Sequence, residues 1–283
     1  MILMFGKTGQ VATELQSHKD VIALGRHQAD LSVPITCTEA IQRYKPRAVI
    51  NAAAYTAVDK AESEENLATM INGEAPGAMA SVCAELDIPF VHISTDYVFD
   101  GSGTKPWSVT DTPNPQNAYA RSKLKGEQAI KASGCVHAIL RTSWVVSAHG
   151  NNFVKTMRRL SETRDRITVV DDQMGGPTCA RDIAQTCLSI AEQLIQDSSK
   201  SGIYHYSGQP NVSWCQFANA IFEQMDCKTI ASPIPTTEYP TPALRPLNSR
   251  LDCEAIEDTY GIARPFWRDG LEEILRDLEG EDD

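Results

Sequence analysis

Tyr119 and Lys123 stand four residues apart in Tyr119-Ala120-Arg121-Ser122-Lys123, a spacing that puts both side chains on one face of a helix. That pair can make a proton donor. A free phenol titrates at about 10 and parts reluctantly with its proton at neutral pH, but an ammonium held nearby favours the phenolate and draws the value toward the working range. Any exposed helix could carry the same two residues, so the surrounding elements have to decide.

Those elements begin at residue 1. Ile2-Leu3-Met4-Phe5 is a short apolar run, Gly6-Lys7-Thr8-Gly9-Gln10-Val11-Ala12 follows at once, and Glu14-Leu15 continues with helical composition. The chain opens as strand, glycine turn, helix. Glycine lets the backbone approach a pyrophosphate and the amides at the helix start meet its charge, so the turn from Gly6 through Thr8, Gly9, Gln10 and Val11 forms a dinucleotide cradle. A nucleotide-triphosphate loop is excluded, because that pattern requires a glycine five residues before Gly6 and Met1 is there. The spacing Gly6-x-x-Gly9-x-x-Ala12 departs from the usual G-x-G-x-x-G, and an ordinary tight turn is the competing reading.

Val21-Ile22-Ala23-Leu24 reads as the second strand and places Gly25-Arg26 at its tip, where an acid would hold the ribose hydroxyls of NAD. No acid stands there. Asp30 and Leu31 fall beyond the tip and are assigned to the adenine edge, while Arg26 favours a 2′-phosphate and hence NADPH, with NADH still possible and a solvated surface arginine as the alternative.

The chain keeps alternating. Strands are expected at 48–54, 90–95, 138–142 and 203–206, with helices around 35–45, 62–86, 118–133 and 180–196. That rhythm specifies an α/β fold, a Rossmann-type doubly wound parallel sheet. Thr95 and Asp96 follow an apolar run at a strand's carboxyl end, where open α/β sheets put their ligands, and the chain from there to Tyr119 is long enough to bring the two together.

The ordered set Gly6-x-x-Gly9-x-x-Ala12, Asn51-Ala52-Ala53, Ser94-Thr95-Asp96-Tyr97-Val98-Phe99 and Tyr119-x-x-x-Lys123 resembles the extended short-chain dehydrogenase/reductase superfamily. Within it the chain is similar to the dTDP-4-dehydrorhamnose reductases, through Ala57-Val58-Asp59-Lys60-Ala61-Glu62, Arg141-Thr142-Ser143-Trp144-Val145, Gly150-Asn151-Asn152-Phe153, Asp172-Gln173-Met174-Gly175-Gly176-Pro177-Thr178 and Arg245-Pro246-Leu247-Asn248-Ser249-Arg250-Leu251. The resemblance spans nearly the whole chain. Ala12 departs from it where many relatives have a third glycine, and it is silent on Cys179 and the acidic tail.

The resemblance implies NADPH-dependent reduction of the C4 keto group of dTDP-4-dehydro-β-L-rhamnose. Tyr119 would protonate the C4 oxygen, Lys123 would hold the nicotinamide ribose and lower the tyrosine pKa, and Thr95 would hydrogen-bond the carbonyl oxygen. Ala52, Ala53 and Ala54 would join the glycine turn against the cofactor. The sugar nucleotide would meet Thr95, Asp96, Tyr97, Val98, Trp144, Asn151 and Asn152, with Arg245 and Arg250 reaching its diphosphate in a proline-fixed loop. Trp144 reads equally as core, each arginine as a surface ion pair, and Asn72 as proton relay, cap or surface residue. The same resemblance leaves two rivals open. One is a non-catalytic NADP-binding regulator like the β-subunit of methionine adenosyltransferase, the other a different sugar-nucleotide reductase or epimerase.

Composition narrows the partners. A net charge of −11 argues against nucleic acid as the main ligand, and 42% hydrophobic residues in a chain of 283 suits one substantial core plus a lobe. No apolar run approaches a membrane span. Cys37, Cys83, Cys135, Cys179, Cys187, Cys215, Cys227 and Cys253 form no C-x-x-C pair, and the chain has no signal peptide, so reduced thiols in the cytoplasm are expected. His18, His27, His92, His137, His149 and His205 lack zinc-site spacing, so no catalytic metal is expected; a magnesium bridging two copies stays open, as does monomer against homodimer. Residues 1–148, with about 179–210 returning to the sheet, are assigned to the nucleotide domain. About 149–178 and 211–283 form the smaller α/β substrate-binding lobe, with helices at 152–160, 214–225 and 270–278 and a frayed end at 279–283.

Overall fold

A computed structural model describes residues 1–280. From the amino terminus run β1 (Ile2–Phe5), α1 (Gln10–Leu15), β2 (Val21–Leu24), α2 (Pro34–Tyr44), β3 (Ala48–Asn51), the short α3 (Val58–Ala61) and α4 (Glu65–Thr69), a π-helical turn (Met70–Glu74), α5 (Ala75–Glu85), β4 (Phe90–Thr95), α6 (Ala118–Ser133) and β5 (His137–Thr142). After them come β6 (Val145–Val146), α7 (Phe153–Ser161), β7 (Arg166–Val170), β8 (Met174–Gly175), β9 (Thr178–Cys179), α8 (Ala180–Gln196), β10 (Gly202–His205), β11 (Val212–Ser213), α9 (Trp214–Gln224), β12 (Ile230–Ile234), β13 (Asn248–Ser249), α10 (Glu254–Tyr260) and α11 (Trp267–Gly280).

Six strands form one sheet in the order β10-β5-β4-β3-β1-β2, every pairing parallel. Both of its faces are covered. Along β1 the side chains alternate, Ile2 and Met4 packing into the core beneath α1, α8 and α10, Leu3 and Phe5 into the core beneath α2, α5 and α6. The strand order reverses between β1 and β3, which opens a crevice at their carboxyl ends.

A third core lies outside the sheet, where Val154 and Met157 of α7, Phe217 and Ile221 of α9 and Leu271 and Ile274 of α11 pack together. Its strands pair as β11-β8-β13 and β12-β7, and β6-β9 joins the two regions of chain that flank it. The last helix runs through Glu279 and Gly280, so of the expected frayed end only 281–283 lie outside the described residues.

Two expected elements differ. The strand expected at 48–54 stops at Asn51, because Ala52, Ala53 and Ala54 leave the sheet to wall the crevice. The helix expected at 62–86 is cut into α4, the π turn and α5. At the π turn Asn72 is buried and its main-chain oxygen abuts Gly126 of α6, where an added Cβ would lie 2.1 Å away. The irregular turn therefore coincides with the closest approach of this segment to α6.

Candidate functional site

Two cavities share the crevice. One of about 590 Å³ is lined by Thr8, Gly9, Gln10, Val11, Thr95, Asp96, Tyr97, Tyr119, Lys123, Trp144, Asn151 and Trp214, among others. The other, about 570 Å³, is lined by Gly6, Gly9, Arg26, Asp30, Leu31 and neighbours. Thr8, Gly9, Ala52, Ala53, Ala54 and Thr56 belong to both, so they form one trough across the ends of the strands.

The glycine turn fits a dinucleotide. Gly6 has φ +112°, and a Cβ there would sit 3.2 Å from Ala52 C and Ala53 N, so only glycine lets β1 and β3 run this close. Gly9 is the N-cap of α1 and no side chain occupies the cap, leaving the first amides of the helix open toward the trough. Gln10 ties the helix to the far wall, its Nε2 donating to Val145 O at 3.3 Å and its Oε1 accepting from Ser147 Oγ at 2.8 Å. At the other end Arg26 Nε donates to Asp30 Oδ2 at 3.1 Å. Burial opposes ionisation of Asp30, but hydrogen bonds from Ser32 and the Arg26 guanidinium hold its carboxyl below the usual range.

Tyr119 is placed by the start of α6. Asn117 caps that helix, its Oδ1 accepting from Ala120 N at 2.8 Å, and Glu62 Oε1 accepts from Ala118 N at 2.8 Å. Asn117 also donates from Nδ2 to Leu244 O at 2.9 Å, which pins the proline-rich loop beside the cap. Thr95 closes β4, accepting from Tyr97 N at 3.2 Å and donating to Asp96 Oδ1 at 3.2 Å. Burial lifts the Tyr119 phenol to about 12; a hydrogen bond with Thr95 pulls it down and the Asp96 carboxylate pushes it up. This reverses the direction expected from the Tyr/Lys spacing. Lys123 turns away, donating from Nζ to Ile93 O at 2.7 Å and lying 3.1 Å from His92 Nε2, so its charge does not set the phenol here. Burial draws the Lys123 ammonium down to about 8, with Glu127 pulling upward. Asp96 is 3% exposed and raised to about 7 by burial, against hydrogen bonds with Ser249 and Thr95.

The wall opposite is aromatic. Trp144 lies in the left-handed region at φ +48°, held by Thr178 N donating to its carbonyl at 3.1 Å. Its ring stacks on Trp214 at 3.6 Å and 11°, and Phe153 leans on Trp214 at 4.5 Å. Gly175 leaves room for the indole, since a Cβ would come 2.8 Å from Trp144 Cε2. The spacing of residues gave no sign of Trp214, which starts α9 after a capping box at Ser213 and Gln216.

Other expected contacts lie elsewhere. Val98 is fully buried in the core beneath α1. Asn152 caps α7 and lines a separate cavity with Lys155 and Arg159, whereas Asn151 faces both that cavity and the trough. Arg245 bonds Asp59 at 2.7 Å and lines a side cavity of about 170 Å³ with Tyr97 and Asn117. Arg250 bonds Asn248 Oδ1 at 2.9 Å and lines neither half of the trough. Asn72 is no surface residue; it accepts from Tyr55 N at 2.8 Å and donates to Tyr55 O and Ser122 Oγ, tying the loop after β3 to α6. All eight cysteines are free, no group of three or more metal-ligating side chains occurs among the described residues, and no described helix is long and apolar enough to cross a membrane.

Residues 1–279 match the family model described as the RmlD substrate binding domain. A dTDP-4-dehydrorhamnose reductase of Sinorhizobium fredii is 42% identical over 98% of both chains. The chain belongs to the dTDP-4-dehydrorhamnose reductase family. Among solved structures of that family, one from Clostridium acetobutylicum superposes with a TM-score of 0.91 at 36% identity, over 98% of this chain and 99% of its own. Another, from Bacillus anthracis in complex with NADP, gives 0.90 at 34% identity over 98% of each.

Proposed function

We propose that this chain reduces the C4 keto group of dTDP-4-dehydro-β-L-rhamnose to give dTDP-L-rhamnose, with NADPH as reductant. One observation carries the reading: Thr95, Tyr119, Lys123 and Trp144 share a single trough with the glycine turn. Bound NADPH supplies the hydride. A phenol at its ordinary value of about 10 already keeps its proton at neutral pH, and burial raises Tyr119 further, so it stays a donor until negative charge gathers on the C4 oxygen. Thr95, hydrogen-bonded to the phenol, orients it and meets the same oxygen. Lys123, one turn further along α6 and lining the same trough, holds the nicotinamide ribose. Trp144 on Trp214 presents a flat apolar wall suited to a 6-deoxy sugar ring, and Asn151 offers its amide at the edge.

In this reading residues 1–148 with about 179–210 serve the cofactor, the remaining chain serves the sugar nucleotide, and the protein works in the cytoplasm as a monomer or homodimer. The test is direct. The purified chain should oxidise NADPH when given dTDP-4-dehydro-β-L-rhamnose, followed by loss of reduced-nicotinamide absorbance, and should bind dTDP. A chain that binds NADPH yet neither binds dTDP nor turns over is a regulator instead.

A further inference from the structure

A buried histidine that takes no part in the chemistry above stands directly behind Lys123. His92 lies within β4 at 0% exposure, its Nδ1 3.1 Å from Asn51 Nδ2 and its Nε2 3.1 Å from Lys123 Nζ. Asn51 Oδ1 in turn accepts from the backbone N–H of Ala53 at 3.1 Å, and Ala53 walls both halves of the trough.

With Asn51 Oδ1 on Ala53 N–H, the donors and acceptors in this row admit one self-consistent pattern. Because Ala53 N–H occupies Asn51 Oδ1, the Asn51 NH2 faces the ring, and Nδ1 must accept. A neutral imidazole with an accepting Nδ1 carries its only proton on Nε2. That N–H points at Lys123 Nζ, which can accept only through a lone pair, as an amine, while an N–H of its own goes to Ile93 O. A charged Lys123 would need an accepting Nε2, hence a proton on Nδ1 facing the Asn51 NH2. The clash is relieved only if the Asn51 amide turns over and gives up Ala53 N–H.

We propose that His92 is a positioning residue for Lys123: in the cofactor-free protein its Nε2–H holds Nζ as an uncharged amine against β4, and Asn51 ties that state to the backbone at Ala53. Charging Lys123 with a proton from solvent then shifts the ring proton to Nδ1 and frees Ala53 N–H at the trough wall. Cofactor contact at Ala53 and charge on Lys123 are thereby linked. Burial acts in the same direction, keeping the His92 ring neutral and drawing Lys123 down to about 8, so the amine form with its Nε2–H partner is the dominant one above that pH. The charges around this row are Glu127, one turn along α6 from Lys123, Arg141 of β5, which is bound to Glu127, and Asp96, beyond the Tyr119 phenol. The proposal uses the reductase reading only in taking Lys123 as the residue that serves the cofactor.

The test reads the tautomer. In cofactor-free protein labelled with 13C and 15N at histidine and held above the Lys123 value of about 8, the signal lost in His92→Gln should show the Nε2–H form, and saturating NADP+ at the same pH should convert it to Nδ1–H. An Nδ1–H ring or an imidazolium in the cofactor-free protein overturns the proposal, as does a tautomer unmoved by NADP+. His92→Gln keeps an N–H near Lys123, whereas His92→Leu keeps bulk and removes it. His92→Leu should lower kcat by about tenfold with the KM for the sugar nucleotide little changed, and His92→Gln should recover most of that loss. Equal impairment of the two, or impairment of neither, means His92 only fills space. Should His92→Leu fail to fold, a His92→Gln enzyme below about a tenth of wild-type kcat also refutes the role. Tautomer and NADP+ binding are read without turnover, so a wild type inactive on the keto sugar sinks the reductase reading and leaves this one standing.

Discussion

Arg141 and Lys123 are each 2% exposed, on neighbouring elements, and the protein accommodates their charges in opposite ways. Arg141 sends Nε to Glu127 Oε1 at 3.0 Å and an Nη to Oε2 at 2.6 Å, Ser94 Oγ adds a bond to the same carboxylate at 2.5 Å, and the guanidinium lies 5.1 Å from the centre of the Phe99 ring. Lys123 meets only a carbonyl and an imidazole, with no ion pair among the described residues. A buried cation locked to a carboxylate is fixed in charge; one left on neutral partners keeps a charge that a ligand can change. The contrast separates scaffold from site within two turns of α6.

The largest effect should therefore fall on stability at the paired cation. Arg141→Met strands the Glu127 carboxylate in the core and should cost about 3–5 kcal/mol of unfolding free energy in a urea titration. Lys123→Met strands no charge, only one bond each at His92 and Ile93, and should cost about 1–3 kcal/mol while abolishing turnover. Equal losses of stability would erase the distinction between the two cations.

Next comes the proton donor beside the unpaired one. Tyr119→Phe retains the ring packed edge-on against Tyr97 and removes the hydroxyl, so turnover should fall by about two orders of magnitude or more, roughly 2.7 kcal/mol, with NADPH affinity near wild type. Undiminished turnover would remove Tyr119 from the chemistry and leave Lys123 as a cofactor contact alone.

What the sequence makes legible follows the same divide between local and assembled structure. The strand, Gly6 to Gly9 turn and α1 are contiguous, and Tyr119 and Lys123 share a helical face, so spacing alone exposes them. Burial is not contiguous. The direction of the Tyr119 shift depends on how completely Thr95, Asp96 and the sheet enclose the phenol, which no spacing reports. The stack of Trp144 on Trp214 joins segments far apart in the chain, and Arg245 is taken up by Asp59, 186 residues away in the sequence. Asn152 and Val98 look like ligands in a motif, yet one is consumed in capping a helix and the other in packing the core.

The aromatic wall offers a smaller effect of a third kind, neither charge pairing nor proton transfer. Trp144→Ala removes one ring of the stack and leaves Trp214 facing the trough, so the KM for the sugar nucleotide should rise by about thirtyfold, near 2 kcal/mol for lost apolar contact, with kcat changed far less. A change confined to kcat would mean that Trp144 orients the reacting groups and does not serve as a wall.

The smallest effect belongs to the exposed cation, the counterpart to both buried ones. The Arg26 side chain is 73% exposed and its bond to Asp30 spans four residues, so water and salt screen the pair and it adds little to stability. A 2′-phosphate carries more charge than one carboxylate and can take both the guanidinium and the space beside Gly25, which lines the same end of the trough. Arg26→Ala should weaken NADPH about tenfold, near 1.4 kcal/mol, and leave NADH within about twofold, read by fluorescence titration at one fixed salt concentration. Asp30→Asn should act in the opposite sense, since the carboxylate that holds Arg26 also repels a phosphate, and NADPH should bind slightly tighter. If Arg26→Ala weakens both cofactors alike, the arginine supports the fold of the β2 tip through Asp30 and does not choose between them.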